Sequence, residues 1–126
     1  MSMKPIKEKK IAVIGVSHKE EKYGFKIFRD LLKQGFQVEG VNPTNGEVLG
    51  KKIRRSLKEI TPAPDLVITV VPSKITERVV EECRDMGIKE IWMQPGSESD
   101  EAIRNAKAHG ISVTHNACFM IKEGGW

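Results

Sequence analysis

The chain has 126 residues, and its content of 39% hydrophobic and 30% charged residues is typical of one globular domain rather than of a disordered or membrane-spanning protein. A formal net charge of +4 favours an anionic partner, but aromatic residues make up only 6% of the chain and accompany no arginine-rich stripe, so no nucleic acid partner is expected. The longest apolar run, residues 66–71, is far too short to cross a membrane. Two cysteines, Cys83 and Cys118, make neither a disulfide framework nor a zinc ligand set, which predicts a reducing, cytoplasmic location.

The first ten residues contain four lysines but no apolar segment of the kind found in signal peptides. We therefore expect residues 1–9 to form a basic lead-in and residues 10–126 to form a single domain. That domain opens with an apolar run, residues 11–14, which stops at Gly15 and predicts a buried strand followed by a turn.

After the turn, apolar residues recur at three- and four-residue spacing from Tyr23 to Leu32, and Gly35 follows where a helix cap is expected. A strand, a glycine turn and a helix in this order form the first half of a nucleotide-binding βαβ unit. Backbone N–H groups of the turn and the helix N-terminus then face an anion, usually a phosphate. Three lysines add positive charge around the start of this helix: Lys19, Lys22 and Lys26.

The remainder of the chain alternates between strand and helix patterns. Further strands are predicted at residues 36–41, 66–71, 90–93 and 111–113. Helices are predicted at residues 75–86 and 102–106, with a short helical turn at the capping-box match of residues 56–59. The tail from Thr114 to Trp126 is predicted to be irregular. Five strands alternating with helices predict an α/β fold with a mostly parallel sheet covered on both faces.

Right-handed crossovers place the turns after the first four strands along one edge of this sheet, where ligands of open α/β sheets bind. A dinucleotide fingerprint would require G-x-G-x-x-G and an acidic residue closing the second strand. Here only Gly15 and Gly24 lie near the helix start, and Asn42 and Pro43 close the second strand. NAD is therefore disfavoured, and an NAD- or adenine-nucleotide-binding regulatory domain is kept as an alternative.

The turns at the strand ends occur in an order that resembles a known family. They are Gly15-Val16-Ser17, Val41-Asn42-Pro43, Val70-Val71-Pro72-Ser73 and Gln94-Pro95-Gly96, followed by the late Cys118. This set closely resembles the small, single-domain CoA-binding proteins of bacteria and archaea, which are related to the CoA-binding domains of succinyl-CoA synthetase and of ADP-forming acyl-CoA synthetases. The resemblance covers residues 10–118 and implies a three-layer Rossmann-like fold that holds coenzyme A along the strand ends.

The resemblance also implies a role for each turn. Gly15, Val16 and Ser17 would approach the diphosphate, beside Lys22, Tyr23 and Gly24 at the helix start. Asn42 and Pro43 would lie by the adenosine, while Val71, Pro72 and Ser73 would line the cleft. Gln94, Pro95 and Gly96 would face the pantetheine. One departure is Val16, since the family often has alanine there, and a valine side chain is expected to narrow the turn.

No nucleophile–base–acid set is visible in the sequence, and the larger synthetases carry their phosphorylated histidine and ATP-grasp partner on other domains. We therefore expect a binding protein, carrier or sensor for CoA or an acyl-CoA, with no membrane or metal requirement. The enzyme alternative is thiol-redox activity on CoA disulfides through Cys118, which otherwise is a small buried apolar residue. Cys83 lies on the apolar face of a predicted helix and is expected in the core.

Overall fold

The structure is a computed structural model that describes residues 4–44 and 46–126. The described residues form seven strands: β1 Lys10–Ile14, β2 Gln37–Val41, β3 Glu47–Val48, β4 Lys51–Lys52, β5 Leu66–Thr69, β6 Glu90–Met93 and β7 Ser112–Thr114. The same part of the chain contains four α-helices: α1 Tyr23–Lys33, α2 Ser73–Met86, α3 Asp100–Ala108 and α4 Phe119–Lys122. Short 3-10 turns occur at Ile6–Glu8 and Leu57–Glu59.

Five strands form one parallel sheet in the order β2-β1-β5-β6-β7, and β3 pairs with β4 in a separate antiparallel hairpin. The predicted α/β, Rossmann-like fold with a five-stranded parallel sheet is therefore confirmed. The chain leaves β1 towards β2 on one side and later crosses to β5 on the other side. This reversal of strand order opens a crevice at the carboxyl ends of β1 and β5, the usual ligand position in such sheets.

Both faces of the sheet are buried, which explains the uninterrupted apolar run of β1. Ile11 and Val13 pack with α1 and α4, whereas Ala12 and Ile14 pack with α2 and α3. All four residues are at most 6% exposed. Alternate residues of a strand point to opposite faces, so in a strand with helices on both sides every side chain faces the interior.

Three local expectations are corrected by the structure. The third predicted strand ends at Thr69, two residues earlier than predicted, although the Val70 amide still donates to the Ile14 carbonyl of β1 at 2.8 Å. The tail predicted to be irregular contains α4, whose Phe119 is fully buried. The capping box does not form as predicted, because Ser56 makes no side-chain cap bond and the Glu59 carboxylate accepts from the Arg55 amide instead, at 3.2 Å.

Across the described residues, no helix is both long and apolar enough to cross a membrane.

Candidate functional site

The glycine turn after β1 is held against the end of β2. Gly15 has a φ of 106°, which favours glycine, and a side chain there would meet Val71 Cγ1 at 2.8 Å. The amides of Gly15 and Val16 both donate to the Val41 carbonyl, at 2.9 and 3.2 Å. These two amides are therefore occupied within the protein, and the turn is positioned by its neighbouring strand.

The next two amides of the loop, those of Ser17 and His18, have no acceptor among the described residues. Ser17 Oγ accepts from the Lys19 amide at 3.0 Å, which curves the loop towards α1. Within residues 4–44 and 46–126, the amides of Ser17 and His18 have no protein acceptor. Together with the unbonded first N–H groups of α1, they form the donor set expected of an anion site at a helix N-terminus.

Val16 does not narrow the turn, contrary to the expectation from the sequence. Its side chain is fully buried in the core beneath α1 and packs against the position of Gly40. Its carbonyl accepts from Asn42 Nδ2 at 2.6 Å, so both backbone polar groups of Val16 are engaged. Valine in place of alanine therefore adds core packing and leaves the outer face of the loop open.

Asn42 and Pro43, which are both predicted to lie by the adenosine, differ from each other in their surroundings. The Asn42 side chain ties the two loops together, donating to Val16 while its Oδ1 accepts from the Thr44 amide at 2.8 Å and from Thr44 Oγ1 at 2.7 Å. Pro43 is exposed and lines a cleft. Asn42 thus acts as a positioning residue, and Pro43 is the one available for contact.

That cleft lies at the crevice where the strand order reverses and has a volume of about 340 Å³. Its wall is largely aliphatic and includes three of the predicted site residues, namely Gly15, Pro43 and Val71. The other lining residues are the apolar Ile14, Val41, Ile75 and Val79 and the polar Arg55, Ser56, Arg78 and Glu82. An aliphatic wall with a few polar groups is the usual form of a small-molecule site.

Arg55 and Arg78 line the cleft but are not among the site residues predicted from the sequence. Arg78 lies three residues after Ile75, so helical spacing places it on the same face of α2 as that cleft residue. Arg55 carries no comparable local signal. It reaches the cleft because Arg54 forms a parallel bridge with Val41, a contact between distant parts of the chain.

The electrostatics of the cleft are mixed but predominantly positive. Among the described residues, neither Arg55 nor Arg78 has an ion-pair partner within 4.0 Å, whereas the adjacent Arg54 lies 3.6 Å from Glu39. Partial burial raises the pKa of Glu82, and the positive charges of Lys58 and Arg78 offset this only in part.

The predicted pantetheine-side residues do not line this cleft. Gln94 is buried, and its side chain ties β6 to the tail: Oε1 accepts from the Phe119 amide at 2.6 Å, and Nε2 donates to Cys118 Sγ at 3.3 Å. Pro95 and Gly96 are exposed beyond it. These residues lie at the same carboxyl edge of the sheet but follow β6, which is separated from β1 and its glycine loop by β5.

Pro72 and Ser73 start α2 between these two regions. Pro72 is the N-cap residue, and Ser73 Oγ donates to the Glu98 carbonyl at 2.8 Å. Ser73 thus connects α2 to the loop after β6, and neither residue belongs to the cleft wall.

The exposed start of α1 carries Lys22 and Tyr23. Lys22 is the N-cap residue without a side-chain cap bond, and the Tyr23 ring lies 6.5 Å from the ring of Trp126. Trp126 is 43% exposed, and its Nε1 donates to Asp30 at 2.8 Å. The end of the chain therefore covers one side of α1 close to the glycine loop.

The two cysteines have different environments. Cys83 is fully buried, and this burial raises its pKa to about 12, so it remains an unreactive thiol as expected for a core position. Cys118 is half-buried beside Gln94. In the described ranges no group of three or more histidine, cysteine or acidic side chains is arranged to hold a metal ion.

Comparison with known proteins gives a consistent result. A family model described as a CoA binding domain matches residues 9–123. The chain is 42% identical over 122 residues to the alpha subunit of ADP-forming acetate–CoA ligase II from Pyrococcus furiosus, which covers 88% of this chain and 27% of that subunit. It is 30% identical over 115 residues to the uncharacterized protein YneT of Bacillus subtilis, covering 91% of this chain and 85% of that protein.

A solved structure of a conserved hypothetical protein from Pyrococcus furiosus superimposes with a TM-score of 0.87 and 38% identity, covering 90% of this chain and 98% of that one. The chain spans about a quarter of the ligase subunit that it matches and nearly the full length of the smaller relatives. The family match covers the glycine loop, the cleft and the segment around Gln94. The chain belongs to the family of CoA-binding domains.

Proposed function

We propose that this protein binds coenzyme A, or an acyl-CoA, along the carboxyl edge of its sheet and serves in the cytoplasm as a binding protein, carrier, sensor or partner subunit. The observation that carries the proposal is the aliphatic cleft at the strand-order reversal, directly beside a loop with free amides. CoA combines an aromatic base with phosphates, so it needs both an apolar recess and an anion site at adjacent positions.

In this arrangement the adenine enters the cleft between Pro43 and Val71. The diphosphate lies over the amides of Ser17 and His18 at the start of α1. Helix-end interactions with an anion contribute about 0.3–1 kcal/mol each at exposed sites, and Lys19 and Lys22 add to the same field. The pantetheine then extends past the start of α2 towards Gln94.

The proposed role is binding without acyl-CoA synthesis by this chain alone. The matched ligase subunit is named for acetate–CoA ligation, but this chain corresponds to only 27% of it. Among the described residues that line the cleft there is neither histidine nor cysteine, and Glu82 is the one carboxylate. Covalent catalysis requires a nucleophile held beside a base, so this wall is better suited to holding a ligand than to reacting with it.

The test is thermal unfolding of the purified protein with CoA, acetyl-CoA, dephospho-CoA, NAD and ATP in parallel. A ligand at about 100 times its dissociation constant adds roughly 2.7 kcal/mol, which raises the melting temperature by several degrees. Saturable binding of CoA at micromolar concentration supports the proposal. The absence of CoA binding overturns the proposal. A shift with NAD or ATP alone also overturns it and favours an adenine-nucleotide sensor.

Thiol-redox activity is a second candidate, favoured by the position of Cys118 beside Gln94 at the carboxyl edge. The Cys118 thiolate would attack one sulfur of a CoA disulfide, breaking the S–S bond and releasing one CoA thiolate while a mixed disulfide forms on the protein. Intact-protein mass after incubation with CoA disulfide is the measurement. A CoA adduct that is lost in Cys118→Ser supports the activity, and no adduct in the wild type excludes it.

A further inference from the structure

Two arginines line the cleft from different elements, and the binding arrangement proposed above gives neither of them a role. Arg55 comes from the segment that bridges to β2, and Arg78 comes from α2. Both are exposed, and within the described ranges neither has an acidic partner within 4.0 Å. Ser56, next to Arg55, also lines the cleft and makes no side-chain cap bond with the following turn.

We propose that Arg55 and Arg78 form a recognition site for a phosphomonoester, the 3′-phosphate of the CoA ribose, so that the cleft selects 3′-phosphorylated adenosine ligands over their dephospho forms. This inference rests on the proposed function, because it assumes that the adenosine enters the cleft.

The charge arrangement supports this assignment. Two guanidinium groups on one small cleft repel each other when the cleft holds no anion, so a dianion between them gains from both. Guanidinium groups also present planar pairs of N–H donors that match phosphate oxygens, and bonds of this charge-assisted kind are about twice as strong as neutral ones. Ser56 also lines the cleft, and its hydroxyl can donate to a phosphate oxygen as well.

A phosphomonoester fits this position better than the diphosphate does. The diphosphate has its own donors in the Ser17 and His18 amides beside Gly15. The arginines instead border the aliphatic recess, where the base and its ribose would lie. The phosphate on the 3′ carbon of that ribose is an anionic group separate from the 5′-diphosphate, and it is therefore the one assigned to them. Glu82 in the same cleft opposes a second negative charge, so both arginines are needed to keep the recess favourable for an anion.

The experiment measures dissociation constants by calorimetry for CoA and dephospho-CoA in wild type, Arg55→Gln and Arg78→Gln. We expect the wild type to prefer CoA by about tenfold or more, and each variant to lose most of that preference while its affinity for dephospho-CoA changes by less than about threefold. Arg104→Gln is the matched control, since Arg104 is an exposed arginine on α3 outside the cleft. Adenosine 3′,5′-bisphosphate and AMP are compared in the same way to test the nucleotide half alone.

Melting temperatures without ligand show whether the variants fold. An unchanged preference for CoA in both arginine variants overturns the inference while leaving CoA binding intact. A wild type that binds CoA and dephospho-CoA equally also overturns it. If neither ligand binds to the wild type, the proposed function itself fails, and this outcome is distinct from the other two.

Discussion

The carbonyl oxygen of Gly15 occupies the space that a side chain on Gly24 would require. The turn after β1 and the first turn of α1 are therefore in direct backbone contact. This contact brings the start of α1 onto the loop with the free amides, so the helix N-terminus and the loop act on the same anion. Glycine at position 24 is required by this close approach rather than by its backbone angles, because it has no positive φ.

Gly24→Ala is expected to destabilise the protein by about 1–3 kcal/mol, because its methyl group would overlap backbone atoms of Gly15 that cannot move independently. Urea unfolding at equilibrium measures the change. Gly35→Ala is the comparison: Gly35 has a φ of 82° but no atom within 4 Å of an added Cβ, so only backbone strain acts there. A Gly24→Ala protein with wild-type stability would contradict the close contact.

The link between the two loops can be tested at Asn42. Asn42→Asp keeps an oxygen for the Thr44 amide but cannot donate to the Val16 carbonyl, so that carbonyl loses its side-chain donor. We expect a loss of about 1–3 kcal/mol in the free energy of unfolding and weaker CoA binding. Thr44→Val removes only the exposed hydroxyl bond and should change stability by less than about 0.5 kcal/mol. Equal effects of the two substitutions would show that the Val16 bond is unimportant.

Glu82 should make stability depend on pH. Burial raises its pKa in the folded protein above the usual value, so the protonated form is favoured in the folded state. The resulting stabilisation is present below the unfolded pKa of about 4.3 and is lost as pH rises through the folded pKa. Glu82→Gln is therefore expected to raise the melting temperature at pH 7 and to have little effect near pH 4. An identical effect at both values would contradict the assigned cause.

Thiol labelling distinguishes the two cysteines. At pH 7.5 an excess of iodoacetamide should modify Cys118 and leave Cys83 unmodified in the folded protein, because Cys83 is fully buried with a pKa of about 12. Peptide mass spectrometry identifies the labelled site. Labelling in urea, where both thiols react, is the control. Modification of Cys83 in the folded state at the rate of Cys118 would show that α2 is not packed as described.

The sheet could be predicted from sequence because its signals are local. An apolar run such as residues 11–14, closed by Gly15, needs no knowledge of distant residues. The helix of Phe119–Lys122 was missed because four residues are too few to show a helical period. It is held by tertiary contacts, including the edge-to-face packing of Phe119 on Trp92, whose ring centroids are 5.0 Å apart.

In the candidate site, too, residues with a local sequence signal could be predicted, whereas residues placed by tertiary contacts could not. Gly15 and Pro43 are predicted from their positions after strands and Val71 from the family resemblance, and all three line the cleft. Arg55 was missed because its place depends on the pairing of Arg54 with Val41, which no local pattern reports. Gln94 was expected to face a ligand, but its side chain is buried and hydrogen-bonded to the tail. The helix in that tail was not predicted either.

The placement of Trp126 gives the molecule a built-in optical reporter. The two indole rings of the chain differ sharply in environment: Trp92 is 9% exposed and Trp126 is 43% exposed. Acrylamide should therefore quench the emission of Trp126 far more than that of Trp92. Because Trp126 lies beside Tyr23 at the start of α1, a change in its emission would follow events at the glycine loop without any added label.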